Sequence, residues 1–285
     1  MSRIFEALQQ ANIELAGTAA EPAESPEGLS AFVAALSGDL AALEEAPTFE
    51  IPECLEVRLI AWKEPHSLAA ERLRGLAARL RYAQQRRALK RILITSAVRG
   101  DGKSTISLNL AITLAMQGEK TLLIDGDLHR PSLASILRID GQRGFANASE
   151  RSDSVTNCVQ RAERLPLWIC PAGTAQDQPL TLVQSPHTAE VLKQLQGWFT
   201  WIVIDSPPLA PLSDASVWAR LCDGFVLIAR EAATPKRALL KGIESLEKSK
   251  ILALLMNDSN PEEEKYYRDY YKQSSGAAVP VTSRL

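Results

Sequence analysis

Apolar and polar positions along the chain fall into three regimes. In the first fifteen residues Ile4, Leu8, Ala11 and Leu15 recur at helical spacing, which predicts a short amphipathic helix. Residues 17–28, GTAAEPAESPEG, break that pattern with a polar linker rich in Pro, Glu and Ala, and residues 30–45 hold at most a second weak helix. From residue 67 the pattern strengthens. Leu73, Leu76 and Leu80 line one side of a predicted helix whose other side carries arginines. Short, fully apolar runs then alternate with helix-sized segments: RILITS (91–96), TLLID (121–125), LWIC (167–170), WIVID (201–205), GFVLIA (224–229) and ILALLM (251–256). STISLNLAITLAMQG (104–118) reads as a helix closed by Gly118. Strands that are apolar on both faces and separated by helices predict an α/β fold: a doubly wound, mostly parallel sheet with helices on both faces. After Asn260-Pro261 the periodicity stops. The predicted organisation is an acidic N-terminal extension (1–60), one α/β domain (61–260) and a flexible tail (261–285).

Composition narrows this picture. The chain has 285 residues, 46% of them hydrophobic, enough for a sizeable core and against wholesale disorder. A net charge of −2 argues against a general nucleic-acid binder. The near balance hides segregation. Residues 1–60 carry eleven acids and two arginines, whereas residues 63–91 carry nine bases and two acids. Such blocks can pair within a chain or between copies. Cys54, Cys158, Cys170 and Cys222 form no CxxC pair and read as reduced thiols of a cytoplasmic protein. No apolar run approaches the roughly 18 residues of a membrane span, and the opening MSRIFEALQQ lacks the apolar core of a signal peptide. One count is uneven: of five tyrosines, four are Tyr266, Tyr267, Tyr270 and Tyr271.

The chemistry concentrates in three strings at strand ends. AVRGDGKST (97–105) follows an apolar strand, opens a helix, and fits the P-loop pattern with Ala97 in place of the first Gly. Gly100 and Gly102 let backbone amides around Asp101 turn toward phosphate oxygens, and the helix start at Ser104 and Thr105 adds its positive dipole end. Lys103 is then placed to reach the β- and γ-phosphates, and the Ser104 hydroxyl to ligate Mg²⁺. In TLLIDGDLHRP, Asp125 and Asp127 follow a buried strand, at the end where open α/β sheets bind ligands. The alternative for Asp127 is the cap of a helix or turn. In WIVIDSPPLAPLSDA, Asp205 ends a strand as a Walker-B carboxylate does. Asn257 ends the last apolar run, where an amide can read an adenine edge or simply form a turn.

Together GDGKST, IDGDLHRP, VIDSPPLAPLSDA and the tyrosine cluster resemble the bacterial tyrosine kinases (BY-kinases) of exopolysaccharide and capsule production, over roughly residues 65–273. The opening MSRIFEALQQA is similar to that of stand-alone, cytoplasmic members. The resemblance implies a P-loop NTPase-type fold using ATP and Mg²⁺. Lys103 would hold the phosphates, and Ser104, Asp127 and Asp205 would serve the metal. Asp125 and Asp127 would divide the base and metal roles between them, and Asn257 would lie beside the adenine. Tyr266, Tyr267, Tyr270 and Tyr271 would be the phosphoacceptors, labelled between subunits. Glu71 and Arg74 match the start of a Glu-x-x-Arg-x-x-Arg motif that joins subunits into a ring, but the last arginine falls on Ala77. The implied partners are further copies of the chain, a membrane chain-length (co-polymerase) protein as activator at the inner face of the membrane, and a cognate tyrosine phosphatase. No nucleic acid is implied.

Two other readings stand beside this one. A ParA/MinD-type ATPase switch carries a second lysine five residues before the P-loop lysine, and here that position is Val98. A non-catalytic scaffold of a polysaccharide assembly would not need Lys103 and every acid intact. On a helix the four tyrosines would form one aromatic face able to pack on the domain, but acids precede them and small residues follow.

Overall fold

A computed structural model describes residues 41–52, 59–150, 153–174, 178–209 and 214–258. The chain divides into units of residues 1–42 and 43–285, and the fold below is that of the second. The expected N-terminal helix and the tyrosine cluster lie outside the described residues. Among the described residues, no helix is long and apolar enough to cross a membrane.

Eight strands form one sheet: β1 (Thr48–Phe49), β2 (Arg91–Ser96), β3 (Thr121–Asp125), β4 (Gln160–Ala162), β5 (Leu167–Cys170), β6 (Trp201–Asp205), β7 (Gly224–Arg230) and β8 (Ile251–Asn257). Their order across the sheet is β1-β4-β5-β3-β6-β2-β7-β8. Every pairing is parallel except β4 with β5. The six predicted strands are present. β1 and β4, of two and three residues, extend the sheet beyond them.

Alternate residues of each central strand enter different cores. Ile92 and Ile94 of β2 and Leu123 of β3 pack on one face, while Leu93, Leu122 and Ile124 pack on the other. The first face is covered by α1 (Ile60–Lys63), α2 (Leu68–Gln84) and α3 (Lys103–Met116). The predicted leucines Leu73, Leu76 and Leu80 make the inner side of α2. α3 is apolar nearly all round because it lies between the sheet and α1 and α2. Within it, Asn109 Oδ1 accepts the Ala61 N–H at 2.9 Å, satisfying a buried donor at the start of α1. Gly118 closes the segment with φ of 84°, as the C-terminal Gly predicts.

The opposite face is covered by α5 (Phe145–Ser149), α6 (Pro179–Val183), α7 (Pro186–Trp198) and α8 (Asp214–Leu221). α7 starts on Ser185, whose hydroxyl accepts the Thr188 N–H at 3.2 Å, with Pro186 at the first helical position. α4 (Leu133–Leu137) follows β3 and buries Leu133 and Leu137. α9 (Lys236–Glu244) joins β7 to β8, with only Gly242 buried. Cys158, Cys170 and Cys222 are free and buried. Burial pushes the Cys158 thiol up to about 11, so it packs as a small apolar group.

Candidate active site

The sheet order makes β3, β6 and β2 consecutive parallel neighbours, so the three acidic and glycine-rich strings emerge side by side from one end. Register aligns them further. Asp125 on β3 is the direct cross-strand partner of Asp205 on β6, which is also level with Ile94 on β2.

The loop after β2 is held from three directions. Ser96 Oγ donates to the Val98 carbonyl at 2.6 Å. Asp101, 2% exposed, accepts the Thr234 hydroxyl at 2.7 Å and the Val98 N–H at 3.4 Å. Asn257 Nδ2 donates to the Asp101 carbonyl at 3.0 Å. The Asp101 carboxylate is therefore committed to the loop's own shape, and what it offers a ligand is backbone. Gly100 and Gly102 have φ of 88° and 92°, values that a side chain strongly disfavours. Gly102 has a second constraint, since a Cβ there would lie 2.2 Å from Asn257 Nδ2. Asn257 thus serves the phosphate loop directly, in addition to any part in base recognition.

Lys103 is the first residue of α3 and is 8% exposed. Burial lowers its pKa, against the pull of Asp205, Asp127 and Asp101. Asp205, 1% exposed, accepts the Ser107 hydroxyl at 3.1 Å. Burial lifts its carboxyl to about 6, offset in part by Ser104 and Lys103. Asp125 is fully buried. Its Oδ2 accepts the N–H groups of Ser132 and Leu133 at 2.8 and 2.9 Å, and its Oδ1 has no partner. Burial, then the charge of Asp205, pushes Asp125 up to about 7 despite those two bonds. Asp127 is half-buried and accepts the Arg130 N–H at 3.1 Å. It therefore shapes a turn, as the alternative reading holds, while also facing Lys103 and Asp205 electrostatically. His129 is exposed.

Two residues outside the sequence argument complete the site. Gly126 separates the two aspartates, and its N–H donates to the Asp205 carbonyl at 2.7 Å. Trp218 Nε1 donates to the Gly126 carbonyl at 3.0 Å from α8. A Cβ at Gly126 would meet the Asp205 carbonyl at 2.9 Å, Ile204 at 3.0 Å and Trp218 at 3.1 Å. Gly126→Ala therefore overpacks the junction of β3 and β6, by about 1–3 kcal/mol. It is expected to lower the melting temperature by roughly 3–10 °C and to weaken nucleotide binding, as read by a thermal melt and a fluorescent-nucleotide titration. An unchanged melt would show that β3 and β6 yield freely here.

Glu71 and Arg74 pair with each other on α2, Arg74 Nε lying 3.0 Å from Glu71 Oε2. Ala77, where the third motif position falls, is 0% exposed in the core between α2 and α3. An arginine there would be buried without a partner, whereas Arg79 is exposed. The departure at Ala77 thus follows from the face of α2 on which it lies.

A mostly parallel sheet delivering a glycine loop, a lysine at the start of a helix and two register-paired aspartates to one point defines a P-loop nucleotide-binding protein. The ParA family model, described as NUBPL iron-transfer P-loop NTPase, matches residues 87–260. The chain is 31% identical over 205 residues to the tyrosine-protein kinase YwqD of Bacillus subtilis (strain 168), spanning 71% of this chain and 86% of that protein. It is 33% identical over 184 residues to the succinoglycan biosynthesis transport protein ExoP of Rhizobium meliloti (strain 1021), spanning 63% of this chain and 23% of that one. The crystal structure of the VpsO kinase domain matches with a TM-score of 0.58 at 32% identity, over 67% of this chain and 98% of that one. The chain belongs to the bacterial tyrosine kinase family of P-loop NTPases.

Proposed function

We propose that the protein is an ATP-dependent protein-tyrosine kinase that phosphorylates Tyr266, Tyr267, Tyr270 and Tyr271 of a neighbouring copy. The observation that carries the reading is the register pairing of Asp125 and Asp205 beside Lys103 at the phosphate loop. Phosphoryl transfer to a phenol of pKa near 10 needs a proton acceptor and compensation of charge on the transferred group. Lys103 supplies the positive charge. Asp125, with an unpartnered Oδ1 and a carboxyl raised toward neutrality, suits the acceptor role. Asn257 lies at the loop edge, where an adenine would sit.

The donor set fits magnesium. Ser104, Asp127 and Asp205 offer hard oxygen ligands, and Asp205 is a buried carboxylate whose pKa is raised despite Lys103. Among the described residues no three His, Cys, Asp or Glu side chains cluster as a self-sufficient metal site. A cation held here would draw its other ligands from phosphate and water, as Mg²⁺ does in such sites. When bound with ATP it would neutralise developing charge on the phosphates.

The acidic extension, the basic α2 region and the exposed Arg79 support assembly into a ring-like homo-oligomer through Glu71 and Arg74. Each phosphotyrosine adds about −1.5 to −2 charges, so a labelled tail would repel its neighbours and loosen the assembly. We place the protein in the cytoplasm, recruited to the inner face of the membrane by a chain-length partner of exopolysaccharide synthesis and reset by a tyrosine phosphatase. The family and the name of ExoP support that setting.

The test is a mixing experiment. Protein carrying Lys103→Met with an intact tail is incubated with ATP, Mg²⁺ and a second copy that has an intact site and all four tail tyrosines changed to Phe. Mass spectrometry is expected to find phosphate on the tail of the Lys103→Met copy. Absence of label on any tail tyrosine, in wild type as in the mixture and with the activating partner present, excludes the kinase reading.

A further inference from the structure

Ser132 stands between the two halves of the site and belongs to none of the roles assigned above. It immediately precedes α4, which Leu133 and Leu137 fix in the core at 0% and 1% exposure. Its backbone N–H is one of the two donors to Asp125 Oδ2. Its hydroxyl donates to Ser104 Oγ at 3.0 Å. Ser104 in turn offsets part of the rise in the neighbouring Asp205 carboxyl. A hydrogen bond therefore ties the segment after β3 to the start of α3, beside the end of β6.

The consequence lies in the lone pairs of Ser104. A serine hydroxyl has one hydrogen and two acceptor lone pairs, and left alone it turns among staggered rotamers. Here one lone pair is spent on the Ser132 hydroxyl. One lone pair remains for a divalent cation, and the bond from Ser132 narrows the orientations open to it.

We propose that Ser132 is a positioning residue for cation-dependent nucleotide binding, acting through the Ser104 hydroxyl. The inference rests on the nucleotide-site reading given above. The two functions of Ser132 are separable, because Ser132→Ala keeps the N–H that holds Asp125 and removes only the hydroxyl. Ser132→Thr keeps both.

The test measures the dissociation constant of a fluorescent ADP analogue for wild type and both variants, once with Mg²⁺ and once with EDTA. Wild type is expected to bind more tightly with the metal. In Ser132→Ala that magnesium-dependent gain is expected to fall by about 3- to 10-fold, the scale of one lost neutral hydrogen bond, with affinity in EDTA unchanged. Ser132→Thr is expected to retain most of the gain. A gain equal to wild type in Ser132→Ala overturns the inference, as does an equal weakening with and without metal, the mark of a purely structural role. Wild type that binds no nucleotide at all defeats the nucleotide reading itself. Wild type that binds, with its gain untouched by Ser132→Ala, defeats this inference alone.

Discussion

Lys103→Met is expected to leave the protein folded and to cut the initial rate of tyrosine phosphorylation by roughly 10²- to 10³-fold or more, the scale of losing one preorganised charge-stabilising donor. The side chain begins α3 at the edge of the phosphate loop, and Asp205, Asp127 and Asp101 all act on its charge. Methionine nearly matches its length and removes the side-chain positive charge from the phosphates. Stability moves little, because two effects oppose each other. Removing a buried ammonium relieves its desolvation, while Asp205 loses a compensating neighbour. The check is phosphate incorporation beside a thermal melt. Labelling equal to wild type would remove this loop as the catalytic centre, and a collapsed melt would make Lys103 a structural residue.

Asp125→Asn is expected to trade activity for stability. In the folded, nucleotide-free protein the Asp125 carboxyl stands near 7 instead of its ordinary 3.8, raised by burial and by Asp205. The sign follows from linkage. A raised acid binds its proton more tightly in the folded state, so folding is favoured at low pH. The cost of ionising it grows as pH climbs from about 4 and levels off above about 7. An asparagine carbonyl can still accept the N–H groups of Ser132 and Leu133, and it brings no charge against Asp205. The variant should therefore melt at nearly the wild-type temperature near pH 4 and above it at pH 8, by about 5 °C. Phosphorylation should be lost throughout. A melting difference independent of pH would show that the Asp125 charge contributes nothing to it.

These effects trace to the parts of the molecule that sequence pattern reaches most easily. β2, β3, β5, β6, β7 and β8 are apolar runs bounded by turn residues, and the candidate site lies where three of them end. Such signals are local, since a buried parallel strand must be apolar throughout and its end must carry the polar groups. What escaped is long-range or too short to show a period. β1 and β4 together contribute five residues to the sheet, below any periodic signature. The Trp218 bond to Gly126 spans 92 positions, and the Thr234 bond to Asp101 spans 133. Neither has a neighbour in sequence to announce it. Asp101 illustrates the limit most clearly: its place in the glycine loop is obvious, yet its carboxylate is turned inward to hold that loop. Ala77 is the converse, a departure from a family motif that becomes intelligible once its side of α2 is seen to be core.

The end of β8 has a geometric consequence for the proposed assembly. Asn257 is bonded to the phosphate loop, and Asp258 turns there with φ of 58° and an ion pair to Arg230 at 2.8 Å. The rest of the chain is thus paid out from the rim of a nucleotide site. Tyr266 lies eight residues beyond Asp258 and Tyr271 thirteen. At full extension these correspond to radii of roughly 27 and 44 Å. A neighbouring site inside the shorter radius can meet all four tyrosines, whereas one between the two radii can meet Tyr271 and not Tyr266. If the four tyrosines are labelled between copies as proposed, their pattern would act as a ruler, reporting the spacing between one copy's rim and the next copy's phosphate loop.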